Sequence, residues 1–208
     1  MKAPLVASIR VYLVLTLLLG FAYPFAVWGI GRLAFRDAAD GSLLRMKGSG
    51  APGAQRVVGS ALLGQKFSSK DLFHSRPSAA GDAGYDPTAS GGTNLGPTSK
   101  KLADSIASAV AAARAENPDA GLSPVPADLV TSSASGLDPH VSPENARWQV
   151  RRVAKETGLP EPDLLAMVDR QTEPRFLGVF GEPRVNVLRL NLDLLERLGS
   201  PAPATVSR

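Results

Sequence analysis

Cysteine is absent from the 208 residues, and only two histidines are present. The first absence excludes disulfides, thiolate catalysis and cysteine-based zinc sites. The second leaves His74 and His140 without partners at ligand spacing, so no resident metal is expected. No Gly-x-Ser-x-Gly elbow occurs. Asp138 and His140 are close, but Pro139 separates them in a turn-prone loop, and no nucleophile, base and orienter are recognisably assembled. Independent catalysis is therefore not expected. Acidic residues are missing before Asp37, where Lys2, Arg10, Arg32 and Arg36 supply four positive charges; the other 19 basic residues balance 19 acidic ones. Nucleic-acid binders carry their excess charge on the binding domain itself. The excess here belongs to a membrane flank, and no nucleic-acid partner is expected.

What is present is a 21-residue uncharged run, Val11–Gly31. As a helix it spans about 30 Å, the thickness of a bilayer core. Arg10 and Arg32 bracket it, Tyr12 and Trp28 sit near its ends, and Pro24 is expected to kink it. A cleaved signal peptide competes, because Lys2 and Arg10 give a positive start. The run, however, exceeds a signal core of about 7–15 residues, and no small-x-small site follows. Basic residues flank both ends, so charge alone does not orient the span. The chain divides into a flank (1–10), a transmembrane helix (11–31), a Gly/Ala/Ser-rich tether (32–55), a soluble domain (56–199) and a tail (200–208).

Within the domain, Val57–Leu63 reads as a buried strand. Gly59 and Gly64 have the glycine spacing of a phosphate-binding loop, but Gln65 stands where that motif needs lysine and no hydroxyl follows Lys66. Strand plus turn is the reading. Residues 74–97 show no period, which marks a long loop with Arg76, Tyr85, Asp86 and Asn94 as polar anchors. A helix capped by Thr98 and running to Ala115 puts Leu102, Ile106 and Val110 on a core-facing stripe. Another starts at Ser142-Pro143 and ends at Gly158, burying Ala146, Val150, Val153 and Ala154, with Gln149 at the stripe's edge and Trp148 nearly opposite. A third covers Pro162–Gln171. Arg175–Phe180 and Arg184–Leu190 read as strands around a Gly-Glu-Pro turn, and Asn191 as the cap of a last helix. The expected fold class is α+β: a single N-terminal transmembrane helix followed by one small mixed domain.

The densest polar stretch is DLVTSSASGLDPHVSPENARWQ, Asp128–Gln149. Gly136 permits a turn, and Pro139 and Pro143 hold their neighbours extended, so the loop is shaped. It reads either as a self-satisfied turn network or as a recognition surface. Arg76, Asn94, Asp138, His140 and Trp148 are candidates for partner docking.

The single span, GSALLGQKF, the 73–78 segment FHSRPS, SGGTNLGP, VPADLVTSSASGLDPHVSP and GEPRVNVLRLN together resemble the C subunit of the Kdp-type potassium-transporting P-type ATPase, the KdpC family. The resemblance covers nearly the whole chain. It implies a non-hydrolytic subunit of a bacterial inner-membrane complex. The implied partners are an ATP-hydrolysing P-type pump subunit, a potassium-channel-like subunit and a small single-span subunit; potassium is the transported ion. No tightly bound cofactor is implied. Two ideas about the family conflict. In one, the subunit is a catalytic chaperone that raises the pump's ATP affinity through a ternary complex with ATP; Ser133, Ser135, Gly136 and Gln149 are then the nucleotide-binding candidates. In the other, the soluble domain is extracytoplasmic, caps the potassium entrance and acts on ATP affinity indirectly. A purely structural assembly factor is a third possibility.

Overall fold

The structure, a computed structural model, describes residues 2–47 and 55–199. The chain divides into two compact units, meeting between Ser42 and Leu43. In the first, helix α1 (Lys2–Leu17) passes through a π-turn (Leu18–Ala22) into α2 (Tyr23–Ala34). Pro24 lacks the N–H that would bond the Gly20 carbonyl, and its ring crowds that carbonyl. The widened turn directly before it accommodates both effects, as π-turns in long helices do. Within Ala3–Ala34 the most apolar 18-residue window has a mean hydropathy of 2.1, and among the described residues this is the one helix long and apolar enough to cross a bilayer. The helix also includes most of the expected N-terminal flank. A short helix α3 (Arg36–Ala39) follows, and Arg32 pairs with Asp40.

The second unit begins inside the expected tether. Strand β1 (Leu43–Lys47) pairs antiparallel with β2 (Gln55–Ser60), with a register shift between Leu44 and Arg45. Half-buried Leu44 and Met46 alternate with exposed Leu43 and Arg45, and the pairing with β2 outweighs the glycines and serines nearby. Residues 48–54 of the expected tether and the expected tail lie outside the described residues.

Helix α4 (Lys100–Glu116) is capped by Ser99, whose hydroxyl accepts from the Leu102 amide, one residue later than Thr98. None of its residues is buried. Its alanine-rich surface is too small to make the core expected of it. A short helix α5 (Ala127–Val130) leads through a loop to β3 (His140–Val141). Helix α6 (Pro143–Thr157) starts where Ser142 Oγ accepts from Asn145 N at 3.1 Å and stops at left-handed Gly158. Its neighbours in the core are α7 (Glu161–Gln171) and α8 (Val187–Leu198). Val150 and Val153 meet Leu164, Met167, Leu190 and Leu194 there, all essentially without solvent exposure. Burial of such side chains is worth about 1.5–3 kcal/mol each.

The sheet is short. Strand β5 (Arg184–Asn186) is central, antiparallel to β3 on one side and β4 (Thr172–Glu173) on the other. Two expectations fail here. Arg175–Phe180 is a tight turn closed by a single Phe176–Phe180 bridge, because Leu177 and Gly178 both have positive φ (52° and 75°) and double the chain back. The expected strand Arg184–Leu190 ends at Asn186, whose side chain accepts from Arg189 N and caps α8. Val187, Leu190 and Leu194 recur at helical spacing, so helix wins beyond the cap. The chain is α+β, as expected.

Asn191 is consequently a helix-interior residue, not a cap. Its side-chain amide accepts from Phe73 N at 2.8 Å and donates to Phe73 O at 2.9 Å, while Phe73 itself is fully buried. Asn191→Ala leaves a buried N–H and a buried carbonyl without partners. Chemical denaturation is expected to show a loss on the order of 2–4 kcal/mol.

Candidate docking cleft

The long loop 74–97 and the polar loop 131–142 are joined. Ser78 is the hub: its hydroxyl donates to Gly136 O at 2.6 Å and accepts from Ala80 N and Tyr85 N. Ser135 O accepts from Gly91 N at 2.9 Å and from Ser90 Oγ at 3.0 Å. Leu137 O accepts from Gly64 N at 2.8 Å. Gly136 has φ +67°, and a Cβ there would lie 2.8 Å from Ala80 N and 2.9 Å from Gly91 O. Its glycine serves the turn and also the close approach of the two loops. The stretch is a turn network, satisfied partly by its own residues and partly by a second loop.

This union assembles one side of a cleft. Arg76 Nη1 donates to Asp138 Oδ2 at 3.1 Å, and Asp138 Oδ1 accepts from His140 N at 3.0 Å, with His140 Nδ1 3.5 Å away. Burial raises the Asp138 pKa, but the His140 hydrogen bonds and the Arg76 guanidinium outweigh it and hold the carboxyl below its ordinary value. Asp128 fixes the start of α6 by accepting from Ser142 N at 2.7 Å and from Ser142 Oγ at 3.0 Å. The cleft has a volume of ≈ 650 Å³, and its charged walls carry Arg76 and Arg184 against Asp128, Asp138, Glu144 and Glu182. Two guanidiniums against four carboxylates favour a cationic or neutral polar occupant over a polyphosphate. Among the described residues no group of three or more His, Asp or Glu is placed to hold a metal ion.

The remaining candidates are dispersed. Asn94 is exposed with φ 52° and takes no part in the cleft walls. Trp148 is half-buried in a neighbouring cavity of ≈ 440 Å³ with Ala120, Ser123 and Pro124; its Nε1 is buried without a partner. Ser133 is 8% exposed, and its hydroxyl faces that of Ser135 at 3.5 Å.

Gln149 is 1% exposed. Its carbonyl oxygen accepts from His74 N at 2.7 Å and Arg152 Nη2 at 2.8 Å, and its NH2 donates to His74 O at 3.0 Å and Asn145 Oδ1 at 2.7 Å. Two donors and two acceptor sites are the whole capacity of a side-chain amide. A nucleotide contact by Gln149 would require this arrangement to open. Of the clamp residues, Asn145 and Arg152 were not singled out in the sequence, and Asn191 was read there only as a helix cap. A signal existed in retrospect: Asn145, Gln149 and Arg152 recur one turn apart, beside the apolar stripe of α6, and Asn191 interrupts an otherwise apolar face of α8.

Among the described residues the chain thus combines one helix long and apolar enough to span a bilayer with a small α+β domain that carries a preformed polar cleft. The family model described as "K+-transporting ATPase, c chain" matches residues 5–196. The chain is 47% identical over 203 residues to a potassium-transporting ATPase KdpC subunit from Koribacter versatilis, covering 98% of this chain and 100% of that one. The corresponding subunit from Myxococcus xanthus is 52% identical over 203 residues, covering 98% and 92%. That from Allorhizobium ampelinum is 54% identical over 187 residues, covering 90% and 93%. The chain belongs to the KdpC family.

His74 gives a pH test of the clamp. Burial, followed by the Arg152 guanidinium, lowers its pKa below the ordinary 6.5, against the opposing pull of Glu116 (3.4 Å from Nδ1) and Asp71. The unfolded chain thus binds this proton more readily than the native one. The contribution is fully present above about 6.5 and is lost as pH falls through the lower native value. Unfolding free energy measured against pH is expected to decline less steeply below about 6.5 in His74→Gln than in the wild type.

Proposed function

We propose that this chain is the accessory C subunit of an ATP-driven potassium-uptake complex of the bacterial inner membrane, with no hydrolytic role of its own. It supports assembly and acts as a catalytic chaperone: contacts with the other subunits raise the ATP affinity of the ATP-hydrolysing subunit. The soluble domain lies outside the cytoplasm, over the potassium entrance of a channel-like subunit, and docks through the Arg76–Asp138–His140 wall. A small single-span subunit completes the set of partners. Family membership supports the complex.

The observation that carries the indirect mechanism is the complete occupancy of the Gln149 amide by internal partners. Ser133, Ser135 and Gly136 are likewise tied into the joined loops, next to a cleft whose carboxylates outnumber its arginines. The same carboxylates suit a position near a cation entrance, where they raise the local concentration of positive ions. Indirect action is energetically modest: a tenfold gain in ATP affinity corresponds to about 1.4 kcal/mol of coupling, within the range subunit contacts transmit.

Two experiments test this. The full-length chain in nanodiscs is expected to show no saturable ATP binding, and Gln149→Ala is expected to lower its stability, since it leaves the His74 N–H and carbonyl without partners. Saturable binding that Gln149→Ala weakens in a chain still folded would establish direct contact instead. Protease added outside spheroplasts is expected to digest the soluble domain; full protection would place it in the cytoplasm and remove the cap.

A further inference from the structure

The turn Arg175–Glu182 carries the largest unexplained apolar feature of the domain. Phe176, Leu177, Val179 and Phe180 are 71%, 75%, 71% and 64% exposed. Among the described residues of the domain, other exposed large apolar side chains occur singly or in pairs. The tip is nevertheless ordered by its own bonds. Phe176 and Phe180 exchange two backbone hydrogen bonds of 2.9 Å, Gly178 N donates to Arg175 O, and Val179 N donates to Phe176 O. Arg175 and Glu182 close the neck at 2.6 Å. Leu177 keeps a positive φ that a branched side chain disfavours. Four large apolar groups are thus held outward on a preformed turn, with little ordering left to do on binding.

The surroundings select the occupant. The arginines at the base are matched: Arg175 to Glu182, and Arg184 and Arg189 to the two oxygens of Glu173 at 3.0 and 3.4 Å. Loops that insert into anionic bilayers rely on unpaired basic residues, so lipid is disfavoured. Two copies meeting tip to tip would bury only these few residues, far below the roughly 800 Å² per partner of a stable interface. The tip fits the role of an anchor within a larger contact. Glu182, Pro183 and Arg184, which follow it directly, line the docking cleft. Tip and cleft form one continuous surface, apolar at one end and rich in carboxylates at the other.

We infer that the Phe176–Phe180 turn is the apolar anchor of this subunit, seated in an apolar pocket of another subunit of the same ATPase, beside basic groups that face the cleft. The inference rests on the accessory-subunit reading above and names the contact that holds it. Exposed side chains of this kind become dominant contributors once desolvated at an interface centre.

The test uses the intact, detergent-solubilised complex. Leu177 replaced by the photo-crosslinker p-benzoylphenylalanine is expected to form an adduct with another subunit of the ATPase, identified by mass spectrometry. Val179→Ser/Phe180→Ser is expected to reduce retention of the other subunits by about tenfold or more with an unchanged melting temperature, because these side chains support no core. Adducts with phospholipid only, with a second copy only, or none at all overturn the inference, as does undiminished retention by the double variant. A wild-type chain that retains no other subunit overturns the accessory-subunit reading, and the anchor with it.

Discussion

Two side-chain amides hold two consecutive peptide units at the centre of the domain. Asn191 from α8 pairs with the N–H and carbonyl of Phe73, and Gln149 from α6 pairs with those of His74. This segment joins no sheet, so its buried backbone groups need partners from elsewhere, and each unpaired one would cost about 1–3 kcal/mol. The amides supply what a neighbouring strand would have supplied. Arg152 and Asn145 complete the Gln149 amide from within α6, and Arg152 also donates to Lys70 O. The chain entering the long loop is thereby fixed between the two main helices.

The cleft depends on that fixing. Arg76 lies two residues beyond His74, and it reaches Asp138 only because the 74–97 loop leaves the clamp in a set direction. Ser78, two residues further, then bonds to Gly136 and brings the second loop into register. A loop wall built this way is rigid before any partner arrives, which lowers the ordering cost of docking. The same holds for the Phe176–Phe180 turn, whose backbone bonds are internal. A charged wall and an apolar turn are thus both preformed and adjoin one another at Glu182–Arg184.

Much of this was legible in the residues. The membrane-length helix, the Ser142 cap with Gly158 as stop and helix α7 follow from local rules of length and capping, and the mutual contacts of Arg76, Asp138 and His140 fall among residues that the sequence had marked. The failures have a common cause. Asn186 and Asn191 are both good caps by composition, and only the packing of Val187, Leu190 and Leu194 decides which one serves. The Arg175–Phe180 stretch has strand-forming residues, yet Leu177 takes a conformation that its side chain disfavours locally. Helix α4 has a proper apolar period but finds too little to pack against. The Leu43–Lys47 strand stands only through its pairing with Gln55–Ser60.

The residues alone determined the membrane-length helix, the α+β class and the polar character of the loops, because these follow from local periodicity and composition. Tertiary structure decided the roles of particular polar side chains. Gln149 can serve a ligand or the backbone equally well by chemistry, since a side-chain amide offers the same donors and acceptors to both. Which one it meets depends on a segment 75 residues away in sequence, and no local rule carries that information.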